Sequence, residues 1–151
     1  MNKVYKNNIF FNEIRSILLS GQSVTIPVKG YSMGPFLREE RDNVTIAPLA
    51  DKMPGKGEIV LFSNKLKDGT ENFIMHRIIK KQGDRFTLRG DNNPLKMKEY
   101  CSVNDILGIV TSCNRKGKHY TPDNFLWRGY ALLKHIYLRI RSVDRKLRGL
   151  E

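Results

Sequence analysis

The amino-acid sequence predicts a mainly β fold, an antiparallel sheet system with one helix at each end. Three features carry this reading. Six short apolar-rich runs lie between residues 23 and 112, each of a length suited to a strand. Clusters of Gly, Pro, Asn and Asp separate them at short intervals. A helical period of three and four occurs only before Gly21 and after Tyr120.

The N-terminal helix is expected over residues 8–20, with Phe10, Ile14, Ile17 and Leu18 on one face and Gly21 placed to end it in a left-handed cap. The period then becomes two: Val24, Ile26 and Val28 alternate with polar neighbours and run into a turn at Gly30. Further strands are expected at 43–47, 58–62, 73–79, 85–89 and 106–112. The turns between them fall at Pro54-Gly55, Asp68-Gly69, Gly83-Asp84 and Gly90-Asp91-Asn92-Asn93-Pro94. Strands this short and this closely spaced favour a small sandwich or partly open barrel over a parallel α/β fold. A second helix is expected over 121–148, with Thr121 as cap, Pro122 at the first helical position, Asp123 against the helix dipole, and Leu126, Tyr130, Leu133, Tyr137 and Ile140 on one face.

At 151 residues the chain has the size of one domain. Three parts follow from the patterning: the helix at 8–20, a β core at 23–120 and the C-terminal helix. No apolar run approaches the ~18 residues of a membrane span, and the N-terminus lacks the pattern of a secretory signal. The expected place is therefore the cytosol, free or peripherally on a membrane. Cys101 and Cys113 are too few and too far apart for a zinc site and read as ordinary thiols, and neither a metal nor another cofactor is expected.

The net charge is +12, and half of it sits in one place: between residues 125 and 148 seven basic residues face Asp144 alone. Such a balance suits nucleic acid, an anionic membrane or an acidic partner. Arg128, Lys134 and Arg139 interrupt the apolar positions, so the helix is expected to lie on a surface, whether of the domain, a partner or an anionic membrane, rather than to cross a bilayer.

The stretch Gly30-Tyr31-Ser32-Met33-Gly34-Pro35-Phe36-Leu37 follows a strand and is built for a tight, exposed turn. A serine there is a candidate nucleophile only if a base reaches it, since its hydroxyl is unreactive at neutral pH. Three histidines exist. His119 and His135 lie in basic, polar surroundings that suit solvated roles, whereas His76 sits inside the apolar run Phe73-Ile74-Met75-His76-Arg77-Ile78-Ile79. A histidine partly withdrawn from water there is suited to accept a proton.

Five short motifs occur in one order: Ser32-Met33 with Pro35 and Leu37; Asp42 and Val44; Gly57-Glu58-Ile59-Val60 with Phe62; His76-Arg77-Ile78; and Gly90-Asp91-Asn92-Asn93. In these the chain resembles, over about 23–110, the S24/S26 serine peptidases, the superfamily of signal peptidase I and the LexA-like self-cleaving repressors. The resemblance implies that family's antiparallel β fold, with Ser32 as nucleophile and His76 as base in the manner of its serine-histidine branch. Asp91 matches a family acid that either orients the base or braces the site. The third member of a triad is Asp91, Glu99 or absent. Backbone N–H groups of the turn at Gly30, Tyr31 and Met33 would form the oxyanion and substrate pocket, with Gly30 standing where several signal peptidases have a serine.

The implied activity is acyl transfer on a specific peptide or protein substrate, such as a maturation or leader-removal step. Two alternatives stay open: a non-catalytic peptide- or membrane-binding module on the same fold, and a LexA-like regulator linked to nucleic acid. The last is weaker, because only about 20 residues and one helix precede the peptidase-like region, too little for a helix-turn-helix.

Overall fold

The computed structural model describes residues 2–149, apart from the side chains of 2–8, 125, 126 and 131. Helix α1 (Asn2–Leu19) leads into β1 (Val24–Pro27), β2 (Asp42–Ala47), β3 (Ile59–Lys65), β4 (Glu71–Gln82), β5 (Arg85–Arg89), β6 (Glu99–Ser102), β7 (Ile106–Arg115) and β8 (Lys118–Tyr120), and α2 (Phe125–Leu147) closes the chain. All neighbouring strands are antiparallel, in the order β1-β2-β7-β3-β4-β5-β6, with β8 paired to β7. The mainly antiparallel β architecture with a helix at each end is thus the one the patterning predicts.

β3 explains the unbroken apolar run Ile59-Val60-Leu61-Phe62. Successive side chains of a strand point to opposite faces, and here both faces are covered. Ile59 and Leu61 enter one core cluster with Val28, Met33, Leu37, Val44, Ile46 and Trp127. Val60 and Phe62 enter a second with Ile78, Phe86, Leu88 and Ile106. Register shifts at Thr45/Ile46, Leu61/Phe62 and Ile78/Lys80 interrupt the ladders, as bulges do when they bend a sheet.

Several boundaries differ from expectation. α1 begins at Asn2 rather than near residue 8. It presents Phe11, not Phe10, to the sheet: Phe11 stacks on Phe73 at 4.5 Å, while Phe10 is 41% exposed and only edges onto Phe11. Ile14 and Leu18 are buried as expected, and the Gly21 N–H caps the helix by donating to the Leu18 carbonyl at a φ of 85°. α2 starts at Phe125, because Thr121-Pro122-Asp123-Asn124 forms a separate turn closed by the Asn124 N–H on the Thr121 carbonyl. β6 and β8, each of four residues or fewer, are additional strands.

The expected apolar face of α2 is not the face that packs. Trp127 and Leu138 are buried and Tyr130 is half-buried, but Leu133, Tyr137 and Ile140 stand in solvent. The side chain of Leu126 lies outside the described residues. The helix is moored mainly at its first turns, where Trp127 meets the Phe36 ring edge-on at 5.0 Å and Tyr130 stacks on it at 4.9 Å. No helix among the described residues is long and apolar enough to cross a membrane.

Candidate active site

The loop from β1 to β2 carries Ser32, and a buried carboxylate holds it in shape. The Asp42 side chain is wholly enclosed. It accepts from the Arg38 N–H at 2.9 Å and from the guanidinium groups of Arg41 and Arg115 at 2.8 Å each. Both arginines also reach forward into the loop, Arg41 to the carbonyls of Pro35 and Phe36 and Arg115 to that of Phe36. Burial alone would push the Asp42 carboxyl up, but these donors outweigh it and hold the carboxyl below its ordinary value. Val28 before the turn and Met33 and Leu37 after Ser32 are buried in the core, so the polypeptide is fixed on both sides of Ser32.

β4 supplies His76, which is 5% exposed. Its Nε2 lies 2.9 Å from Ser32 Oγ, and its Nδ1 lies 3.0 Å from Glu99 Oε2 on β6. A carboxylate only accepts, so Nδ1 carries the proton it donates to Glu99. Nε2 of the neutral ring is then left with the lone pair that the Ser32 hydroxyl needs. Ser32 itself is half-buried and open to solvent on one side. Three groups from three separate segments thus form one continuous hydrogen-bonded line of hydroxyl, imidazole and carboxylate, the arrangement a serine nucleophile with a histidine base would need.

Of the two candidate acids, Asp91 is turned away from the imidazole. It receives Arg77 Nε at 2.8 Å and the other arm of the same guanidinium at 2.7 Å, while Arg77 also donates to the Gly57 carbonyl at 2.8 Å. Both partners are buried. Asp91 therefore braces the loop 90–93 against β4, and the carboxylate in contact with the imidazole is that of Glu99. The reason lies in strand alternation: Arg77 points to the opposite side of β4 from its neighbour His76.

That loop also holds the Ser32 turn. The Asn92 N–H donates to the Ser32 carbonyl at 2.7 Å, Asn92 Nδ2 to the Tyr31 carbonyl at 3.3 Å, and the Asp91 N–H to Met33 Sδ at 3.5 Å. Gly90 is required by this closeness. A Cβ there would lie 2.6 Å from the Ser32 carbonyl oxygen and 2.9 Å from His76 Nε2, far inside van der Waals contact.

The candidate oxyanion residues divide by role. The Met33 side chain is core and Tyr31 is 80% exposed. Gly30 takes a φ of 79°, which lets the chain turn sharply into the site. The Tyr31 carbonyl is used by the Gly34 N–H, but among the described residues neither the Ser32 nor the Met33 N–H has a protein acceptor. Two backbone donors therefore remain available beside Ser32 Oγ.

Other reactive groups lie elsewhere. Cys101 and Cys113 are buried free thiols in the two core clusters, and burial, chiefly, pushes them up to about 12 and about 11. His119 and His135 are exposed. Among the described residues no group of three His, Cys, Asp or Glu side chains is arranged to hold a metal ion. Compared with known proteins, the chain matches no protein-family model and no curated protein.

Proposed function

We propose that the protein is a serine endopeptidase that cleaves a specific peptide or protein through a Ser32-His76-Glu99 triad. The observation that carries this reading is the unbroken hydrogen-bonded line from Ser32 Oγ through both nitrogens of His76 to Glu99. The likeness of the motifs to the serine-histidine branch of the S24/S26 peptidases supports it.

In the first half-reaction His76 Nε2 takes the hydroxyl proton as Ser32 Oγ adds to the substrate carbonyl carbon. The negative charge passes to the carbonyl oxygen, for which the N–H groups of Ser32 and Met33 are the available donors. Glu99 stabilises the imidazolium. When the tetrahedral adduct collapses, His76 returns the proton to the departing amine, the C–N bond breaks, and the acyl group stays on Ser32 as an ester. A water molecule, deprotonated by His76, then adds to the ester carbonyl. Collapse of the second adduct releases the new carboxylate and restores the Ser32 hydroxyl.

An active-site probe reads the nucleophile without any substrate. A fluorophosphonate should label wild-type protein on Ser32, with fluoride leaving, and should leave Ser32→Ala unlabelled although that variant folds normally. A panel of peptides and candidate precursor proteins, scored for cleavage by wild type and not by Ser32→Ala, then identifies the substrate class. A wild-type protein that neither reacts with the probe nor cleaves any member of the panel would instead be a binding module on this fold.

A further inference from the structure

Helix α2 touches the body along the side that carries Trp127 and Leu138, and among the described residues its other side has no partner. At 3.6 residues per turn, Leu132, Leu133, Ile136, Ile140, Val143 and Leu147 fall within a sector of about 100° centred opposite the packed side. All six are exposed, by 45% to 82%. Cations flank the stripe on both sides: Arg139 and Lys146 on one, Arg141 on the other. Arg128 and Arg148 also border it, but each meets an acid, Arg128 with Asp123 at 3.6 Å and Arg148 with Asp144 at 2.9 Å, so the positive excess rests on Arg139, Arg141 and Lys146.

One edge of the stripe opens onto a cavity of about 770 Å³ between α2 and the β4-β5 pair. Leu132 and Arg139 belong to both, and Lys56, Lys80 and Lys98 line the cavity from the sheet side. Arg89 lies in its wall. It stands directly across the ladder from Arg77, whose guanidinium is occupied by Asp91. Arg89 is 6% exposed, and its Nε has no hydrogen-bond partner among the described residues. Asp91, already held by both arms of Arg77, lies in the same wall and offsets part of the Arg89 charge, but the buried Nε has no acceptor among the described residues, and an anion in the adjoining space would supply one.

We propose that α2 is a peripheral anchor for an anionic bilayer: its apolar stripe enters the interface, and the phosphate of an anionic lipid headgroup enters the cavity against Arg89. Charge complementarity selects this occupant over a second copy of the chain, which would bring its own flanking cations against the first set. The polar-apolar division matches as well, because the cavity lies where the stripe ends, as a headgroup lies where acyl chains end. The inference is independent of the peptidase reading, since Ser32 and His76 take no part in it.

The test is sedimentation of the full chain with vesicles of phosphatidylcholine alone and of phosphatidylcholine mixed with phosphatidylglycerol. Binding is expected to the mixed vesicles and to be largely lost on the neutral ones, and salt should weaken it. Removing one flanking cation, as in Arg141→Gln, should weaken partitioning about fivefold. Ile136→Ser with Ile140→Ser, at exposed positions that leave the melting temperature unchanged, should abolish it. Arg89→Gln should reduce the preference for phosphatidylglycerol, and Ser32→Ala should bind as wild type does. Equal binding to both vesicle types, or undiminished binding by the Ile136/Ile140 variant, would overturn the proposal. So would inorganic phosphate protecting Arg89 in a chain that ignores vesicles, which would make the cavity a site for a soluble anion. A chain that ignores vesicles and loses a dimer in the Ile136/Ile140 variant would show that the stripe joins two copies.

Discussion

Replacing Glu99 by Gln separates the two carboxylates that compete for the third place in the triad. The Glu99 oxygen is 3.0 Å from His76 Nδ1, so the centres of the carboxylate and of the imidazolium formed during attack lie about 4.5 Å apart. At an effective dielectric constant of about 20, that attraction is worth about 3–4 kcal/mol. Loss of the charge should therefore slow acyl transfer by about 10²–10³-fold. Solvent at the Glu99 side chain, which is 19% exposed, moves the expectation towards the smaller figure. Glutamine has a second effect in the same direction: its NH₂ can donate to Nδ1, which shifts the ring proton to Nε2 and removes the acceptor that Ser32 needs. The assay is the second-order rate of fluorophosphonate labelling at Ser32, followed by intact mass, alongside urea unfolding. Glu99→Gln should lose rate and keep its stability to within about 1 kcal/mol, as half-buried surface changes usually do. Asp91→Asn should do the reverse in kind, losing about 3–5 kcal/mol of stability because it leaves the buried Arg77 cation without its partner. Wild-type labelling by Glu99→Gln would refute the triad. A rate loss in Asp91→Asn without loss of stability would give the orienting role to Asp91.

Two further outcomes follow from the supports of the Ser32 turn. In Gly90→Ala the new methyl group meets the Ser32 carbonyl oxygen at 2.6 Å, so the backbone must give way; labelling should fall by about 10²-fold, and an alanine variant that labels normally would show that the close approach does not hold the dyad. Asp42 has its carboxyl held below its unfolded value of 3.8, so its contribution is fully present above that value and is lost as pH falls through the lower, folded one. Urea unfolding at pH 7 should find Asp42→Asn less stable by about 2–4 kcal/mol, and wild type should lose more stability than the variant between about pH 5 and pH 2; parallel pH profiles would remove Asp42 from the account.

Much of this molecule is legible in its sequence because the signals are local. Period-two alternation and the Asp-Gly, Pro-Gly and Gly-Asp turns place β2, β3, β4, β5 and β7, and an apolar strand interrupted by His76 marks the histidine that meets Ser32. The Gly/Pro turn around Ser32 marks that serine by the same kind of short-range chemistry. β6 is harder to see, since Lys96-Met97-Lys98 precedes it and Glu99-Tyr100-Cys101-Ser102 offers a single buried side chain, Cys101. Its pairing with β5 makes it a strand, and that pairing is what brings Glu99 to His76.

The sequence by itself determined the fold class, the turn that carries Ser32 and the choice of His76 among three histidines, because strand period, turn residues and local polarity depend on near neighbours along the chain. The tertiary structure alone decided that Glu99 meets the imidazole while Asp91 pairs with Arg77, that Gly90 must have no side chain, and that the apolar stripe of α2 faces away from the sheet. The two acids meet partners 23 and 14 residues away, Gly90 and α2 meet still more distant segments at Ser32 and Phe36, and each outcome depends on which face of a strand or helix turns inward. Periodicity identifies a face, but only packing decides what lies against it.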